Sequence, residues 1–522
     1  MRNLRALLPY LARYRASIFL GLIILLVTAC LALVQPYLLR LGIDGLQQGK
    51  FEPLYSWFIV GLGIIQFGLG FAQRMALNRT GFQIETDIRS DLFAKTQKLD
   101  RSFFDETPVG DLIVNSTSDI SIQRNFLMTG IISGFNTLFL GSFALFLMFS
   151  QNWRMAVIAL IFFPPLIFAF SWIGRYLEGY YRRSQEQLGE VNNRAQEVFT
   201  GIRVVKAYTR EEAETAKYAE ENEKYIKDSM RALKLDGLFL PMILLSMGLT
   251  TAVVLWVGAH EIQSGRLTIG QFVQFNAYLL LLVPPLSNLG FVVGQAQQAS
   301  ASMGRLQDIF RRIPKIADPV EPIATSDKNW KGQLEFKKVG LRFSDHWVLR
   351  DVSFEVPAGK TVAVVGPTGA GKSSLAALVG RVYDPHEGQV TMDGLDVRMF
   401  PLDYLRREIA YVPQETLLFS LSLRENISLG KTEAVHDEVM EATRMSRLSQ
   451  DLPQIPGGFD ALVGERGVTL SGGQKQRTAI ARALLPEAAV LILDDSLSSV
   501  DARTQNQIAA NLKILTQQGR TL

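Results

Sequence analysis

Six stretches in the N-terminal part of the chain carry no Asp, Glu, Lys or Arg between the charged residues that bound them. They run from Arg15 to Arg40, Glu52 to Arg74, Arg124 to Arg154, Arg154 to Arg175, Asp236 to Glu261 and Arg266 to Arg305. Each is long enough for the roughly 20 apolar residues that cross a bilayer core. A helix of this length in a soluble protein nearly always keeps a charged face, so the pattern predicts six membrane-spanning helices rather than buried soluble ones.

The connections between them set the orientation. Arg79, Arg89, Lys95, Lys98 and Arg101 lie between the second and third spans. Arg182, Arg183, Arg194, Arg203, Lys206 and Arg210 lie between the fourth and fifth. An excess of Lys and Arg marks the cytoplasmic side, and the short turns around Gln47, Gln151 and Glu261 then face outward. Both inner connections, Thr80 to Leu99 and Glu178 to Tyr225, keep helical spacing with few Gly or Pro, so the spans are expected to run on into the cytoplasm. RSFFDETPVGD (Arg101 to Asp111) and GIRVVKAYTREE (Gly201 to Glu212) form the tips. The basic, amphipathic start, MRNLRALLPYLARYR, is followed by no small-residue cleavage site and predicts a helix on the membrane surface rather than a signal peptide.

Pro314, Pro319 and Pro322 mark a linker. Beyond it the pattern changes to short β-rich runs (LEFKKV, TVAVVG, QVTMDG, IAYVPQ) alternating with helical stretches, as in an α/β nucleotide-binding domain. With 522 residues and 48% hydrophobic content, the chain is too long for one domain and too apolar for an ordinary soluble pair. A net charge of +4 argues against nucleic-acid binding driven by a basic field. The single cysteine, Cys30, excludes an intrachain disulfide and a Cys-cluster metal site.

Three motifs carry chemistry. GPTGAGKS (Gly366, Pro367, Thr368, Gly369, Ala370, Gly371, Lys372, Ser373) lies between the expected strand TVAVV and a helical SLAALVGRV. In such a loop the backbone amides curl around phosphate, the lysine neutralises the β and γ oxygens, and the serine coordinates Mg²⁺. LSGGQ, containing Ser471, Gly472, Gly473 and Gln474, precedes the helical KQRTAIARALL, and free amides with a hydroxyl at a helix N-terminus form an anion site. LILDDSLSSVD places Asp494 at the end of an apolar strand, where it holds Mg²⁺ through water, and Asp495 beside it as general base or water-orienting group.

With Gln414 in YVPQ, and in this order behind six spans, the motifs resemble an ATP-binding cassette (ABC) exporter half-transporter over essentially the whole chain. The resemblance implies an all-α six-helix transmembrane domain with coupling helices over residues 1–312, a linker over 313–332, and an α/β P-loop cassette with a helical subdomain over 333–522. It implies ATP and Mg²⁺. Nucleotide would lie on Phe343 and on Gly366 through Ser374, Mg²⁺ on Ser373, Gln414 and Asp494, with Lys372, Gln414 and Asp495 catalytic. Phe343 takes the place of the aromatic that stacks on adenine, where the family more often has tyrosine. Phe103 to Asp105 and Val204 to Tyr208 match the coupling helices, Val463 to Gly467 the segment they meet, and Ser499 to Asp501 the loop crossing the dimer. Two cassettes close head to tail, so Ser471, Gly472, Gly473 and Gln474 complete the partner's site.

The chain departs from the family pattern twice. The switch histidine expected after GRTL lies past Leu522, so the cassette is expected to be C-terminally incomplete. Asp495 stands where competent sites carry glutamate. A shift of about 1 Å in near-attack geometry costs ~10²-fold in rate, so this site is expected to hydrolyse slowly. Slow hydrolysis with an intact LSGGQ resembles one member of a heterodimer, with a homodimer as the other possibility. The span interiors lack charge but carry Gln35, Gln66, Asn136, Gln271, Gln274 and Asn276. These amides serve either an amphipathic cargo (drug, lipid or peptide) or hydrogen bonds between helices. The expected location is a bacterial plasma membrane with the cassette in the cytoplasm. An ABC-type regulator or ATP-gated channel is the alternative function.

Overall fold

The computed structural model describes residues 2–50, 53–323 and 330–522; Glu52, one end of the second charge-free stretch, and residues 324–329 of the expected linker lie outside them. Two compact units result: Met1–Asp91 with Asn115–Gln307, and Leu92–Val114 with Asp308–Leu522.

The first unit is helical. Six helical runs of 33 to 53 residues are long and apolar enough to cross a membrane: Arg15–Gln47, Leu54–Gln97, Val109–Gln151, Trp153–Thr200, Glu211–Gln263 and Ile269–Arg311. At 1.5 Å per residue a 43-residue run covers about 65 Å, twice the ~30 Å hydrocarbon core. The excess supplies the extensions expected beyond the bilayer. Breaks fall where the sequence forces them. Asn152 caps the fourth run by accepting from Met155 N at 3.1 Å. The pair Pro164 and Pro165 follows a break after Leu160, and Pro284 and Pro285 follow one after Leu281, because proline lacks the amide an interior turn needs. Short helices form on both tip segments, Ile202–Ala207 in this unit and Arg101–Glu106 in the second.

The N-terminal segment is helical, as Arg2–Leu7 and Leu8–Arg13. It does more than lie on a surface: Leu7 is buried, Asn3 Nδ2 donates to Ser300 O at 3.1 Å, and Gln307 Nε2 donates to Asn3 O at 2.8 Å. Five of the six span amides bond to protein. Gln35 Nε2 donates to Gln66 Oε1 at 3.1 Å, and Gln151 Nε2 to Gln274 Oε1 at 3.3 Å. Buried Gln274 donates to the Tyr278 hydroxyl at 3.0 Å, which donates to Leu33 O at 3.1 Å. Gln271 sits in a capping box with Thr268, and Asn276 bonds back to Phe272 O. Gln35, Gln66, Gln271, Gln274 and Asn276 are thus each engaged in a hydrogen bond within the protein. Two buried carboxylates brace the extensions: Asp119 takes the Arg305 guanidinium at 2.5 and 2.8 Å, and Glu85 takes Arg89 and Arg124 at 2.6 and 2.9 Å.

In the second unit four antiparallel strands form one sheet: β1 (Leu334–Phe343), β2 (His346–Val356), β3 (Glu387–Met392) and β4 (Leu395–Asp396), in the order β2-β1-β3-β4. β5 (Ile409–Val412) and β6 (Val490–Leu493) pair in parallel, Ile409 against Val490 through Val412 against Leu493. Phe336, Val390 and Leu378 belong to one core; Leu423, Val439, Ile480 and Ile508 to a second, largely helical one. The expected strand TVAVV is not a strand. Val362 N donates to Leu522 O at 2.9 Å and Leu522 N to Lys360 O at 3.0 Å, while Thr521 bridges Val490. Val364 and Val365 stay exposed at 50% and 88%.

Candidate nucleotide site

Parallel strands end together, and their carboxyl ends are where α/β folds bind ligands. Asp494 N donates to Val412 O at 3.0 Å, carrying the β5–β6 pairing one residue past the strands. Asp494 and Asp495 therefore emerge next to Pro413 and Gln414. The Tyr411 hydroxyl donates to Asp494 Oδ2 at 3.3 Å, and Gln414 Nε2 donates to Asp495 Oδ2 at 3.3 Å. Burial, then the neighbouring Asp494 carboxylate, pushes the Tyr411 hydroxyl up to about 12, so it remains a donor at neutral pH. Asp495 has a left-handed backbone, φ +46°, a conformation that aspartate adopts more readily than most side chains. Its carbonyl accepts from Ser498 Oγ at 3.1 Å.

The glycine-rich loop leads into helix Lys372–Val379. Gly371 has to be glycine: φ is +87°, and a Cβ there would sit 2.8 Å from Leu349 Cδ2. Lys372 Nζ lies over the mouth of the loop, donating to Gly366 O at 2.9 Å and Pro367 O at 3.0 Å. A cavity of about 800 Å³ brings together Phe343, Lys372, Ser373, Gln414, Asp494 and Asp495, with Thr368, Gly369, Gly371 and Ser374 also on its wall. Phe343, the last residue of β1, is partly exposed.

The set offers a hydroxyl, an amide carbonyl and a carboxylate as possible metal ligands. Among the described residues no group of three or more His, Cys, Asp or Glu could hold a metal ion. Hard oxygens few in number suit Mg²⁺, which usually takes one or two protein carboxylates and fills its sphere with phosphate oxygen and water.

Ser471, Gly472, Gly473 and Gln474 are not on this wall. Ser471 instead caps helix Gly472–Leu484 in a capping box with Gln474, which presents the helix N-terminus elsewhere. That helix is tied back to the site by a residue with no motif to mark it. Buried Gln476 accepts from Ser499 N at 2.9 Å and donates to Ser498 Oγ at 3.2 Å. Tyr411, within the YVPQ run, likewise had no role assigned from the sequence. Asp501 caps helix Ala502–Gln517, and Glu465–Gly467 is a tight turn with Arg466 at φ +50°.

The family described as ABC transporter transmembrane region matches residues 18–286, and ABC transporter matches residues 349–498. An ATP-dependent lipid A-core flippase of Desulfotalea psychrophila is 32% identical over 511 residues, 97% of this chain and 89% of its own length. The probable multidrug resistance ABC transporter ATP-binding/permease protein YheI of Bacillus subtilis is 32% identical over 515 residues, 97% and 86% of the two chains. The multidrug resistance-like ATP-binding protein MdlA of Escherichia coli is 31% identical over 512 residues, with the same coverage. Among solved structures, a bacterial Atm1-family ABC exporter with ATP bound superposes with a TM-score of 0.79 at 24% identity, over 97% of this chain and 90% of that one. Geometry, family matches and full-length relatives converge: the chain belongs to the ABC transporter family, a half-transporter that joins a six-span membrane region to an ATPase cassette.

Proposed function

We propose that two half-transporters, this chain and a second one, export or flip amphipathic or hydrophobic compounds, with the cassettes in the cytoplasm of a bacterial cell. The membrane part covers residues 1–312, the linker 313–332 and the cassette the remainder. Adenine stacks on Phe343. The loop from Gly366 to Ser374 wraps the phosphates, and Lys372 leaves the carbonyls of Gly366 and Pro367 for the β and γ oxygens. Ser373, Gln414 and Asp494 would hold Mg²⁺, which when bound neutralises charge developing on the transferred phosphoryl group. Asp495 and Gln414, already hydrogen-bonded to each other, orient the attacking water, and Asp495 takes its proton. Ser471, Gly472, Gly473 and Gln474 serve the partner's nucleotide. Closure of the cassettes shifts the membrane helices between two populations by differential affinity for ATP.

The observation that carries this reading is one cavity gathering Phe343, Lys372, Ser373, Gln414, Asp494 and Asp495 in a chain with six membrane-length helices. The names of the relatives, lipid flippase and multidrug resistance protein, support a lipid or drug cargo. Asp495 supports slow hydrolysis at this site and a partner that supplies glutamate. Reconstitution in lipid vesicles tests the proposal: ATP should drive ethidium or a fluorescent phospholipid across the bilayer against its gradient, and Lys372→Ala should abolish the movement. ATP-dependent leakage that only follows the gradient would instead identify a gated channel.

A further inference from the structure

The carboxylate of Asp494, read above as a holder of Mg²⁺, has one donor of its own. Among the described residues only the Tyr411 hydroxyl donates to it, to Oδ2 at 3.3 Å. The sheet explains the pairing. β5 and β6 run in parallel with Tyr411 against Ile492 and Val412 against Leu493, and Asp494 N continues the ladder by donating to Val412 O at 3.0 Å. Side chains alternate across a strand. Ala410 and Val412 turn into the helical core, so Tyr411 stands on the opposite face, 38% exposed. Two residues beyond Ile492, the partner of Tyr411, the alternation brings Asp494 back to that same face. An aliphatic side chain, the usual occupant of a parallel strand, would pack at position 411 and offer no donor.

We propose that Tyr411 is a specificity-determining residue that biases the site toward Mg²⁺ and against Ca²⁺. A carboxylate can meet a cation through one oxygen or through both. Ca²⁺ takes a large, flexible shell of oxygens and often both oxygens of one carboxylate, whereas Mg²⁺ demands an octahedron and keeps several of its waters. The Tyr411 hydroxyl engages Oδ2 and leaves Oδ1 as the unbonded oxygen. One free oxygen suits a hydrated Mg²⁺, whose water can donate to it, and the occupied one obstructs capture of Ca²⁺ by both. The inference rests on the reading of Asp494 as a metal holder. It goes further in naming a residue off the cavity wall that decides which divalent ion this carboxylate favours.

Competition between the two kinds of ion on the full-length protein in lipid nanodiscs tests it. With a non-hydrolysable ATP analogue bound, Mn²⁺ stands in for Mg²⁺, its electron paramagnetic resonance signal reports the bound fraction, and Ca²⁺ is titrated in. Tyr411→Phe keeps the ring and loses the hydroxyl. It should need roughly 3- to 10-fold less Ca²⁺ than wild type to displace half of the Mn²⁺, the span of one ordinary hydrogen bond; Tyr411→Leu should shift alike. The readout is a ratio within one protein, so a general loss of nucleotide affinity leaves it unmoved. Asp494→Asn should weaken Mn²⁺ binding, and adding Tyr411→Phe to it should shift the ratio no further. An unchanged ratio in either Tyr411 variant, or an equal shift in the Asp494→Asn background, would overturn the proposal. The two readings fail separately. If Asp494→Asn binds Mn²⁺ as tightly as wild type, the metal role of Asp494 is wrong. If it binds weakly while Tyr411→Phe keeps the wild-type ratio, the metal role stands and only the selectivity fails.

Discussion

Lengthening one side chain by one carbon tests the assignment of Asp495. Its carboxylate accepts from Gln414 Nε2 at 3.3 Å. Asp495→Glu adds one C–C bond, ~1.5 Å. Since a misplacement of about 1 Å costs ~10²-fold, equivalent to ~2.7 kcal/mol at 1.36 kcal/mol per tenfold, the longer acid should raise turnover by ~10- to 100-fold. The backbone sets an opposing effect. At φ +46° a glutamate is less at ease than an aspartate, and left-handed strain costs ~1–2 kcal/mol. That strain is the same in the ground and transition states, so it lowers stability and leaves the rate alone, appearing as a drop in thermal midpoint of ~2–4 °C per kcal/mol in a domain of this size. Single-turnover hydrolysis by the reconstituted protein isolates the step. Turnover no faster than wild type, with nucleotide affinity intact, would refute the idea that carboxylate reach limits this site.

Lys372→Ala should remove ATP binding, read by fluorescent-nucleotide titration, while leaving the helical content unchanged. Gly371→Ala should be worse than a charge loss, because it combines a 2.8 Å clash with Leu349 and a positive φ; a loss of ~1–3 kcal/mol should appear as a lower thermal midpoint together with lost nucleotide binding. Gln274→Leu should lower stability by ~0.6 kcal/mol, the mean for interhelical bonds in membranes, without changing which fluorescent compounds are transported; a changed spectrum would return the amide to the cargo path. Burial opposes ionisation of Asp100, but donors at Ser102 Oγ and Lys315 N outweigh it and hold the carboxyl below its ordinary value. A depressed folded pKa gives a contribution present above the unfolded value of ~3.9 and lost as pH falls through the folded one. Exchange protection of Lys315 should thus be flat from about pH 7 to 5 and decline below about 4, and Asp100→Asn should remove the decline.

Much of the architecture follows from chemistry that is local in the chain. Six charge-free stretches can be satisfied in lipid only as helices, since every backbone polar group must find its partner within the segment, and all six appear as helical runs. Gly371 announces a left-handed loop before Lys372, and Ser471 with Gln474 spells out a capping box, because these depend on residues within a few positions of each other. The strand expected at TVAVV failed for the complementary reason. A strand depends on its neighbours, and among the described residues Val364 and Val365 are left exposed beyond the Val362–Leu522 bond. Features that depend on residues far apart in the chain emerge with the folded packing. Gln274 looked the same from sequence whether it faced a cargo or a helix, until Gln151 and Tyr278 were found against it. Nothing near Tyr383 in the chain points to Asp105, 278 residues away; the contact exists because the fold stacks a turn after the phosphate-loop helix against a short helix from the other end of the polypeptide.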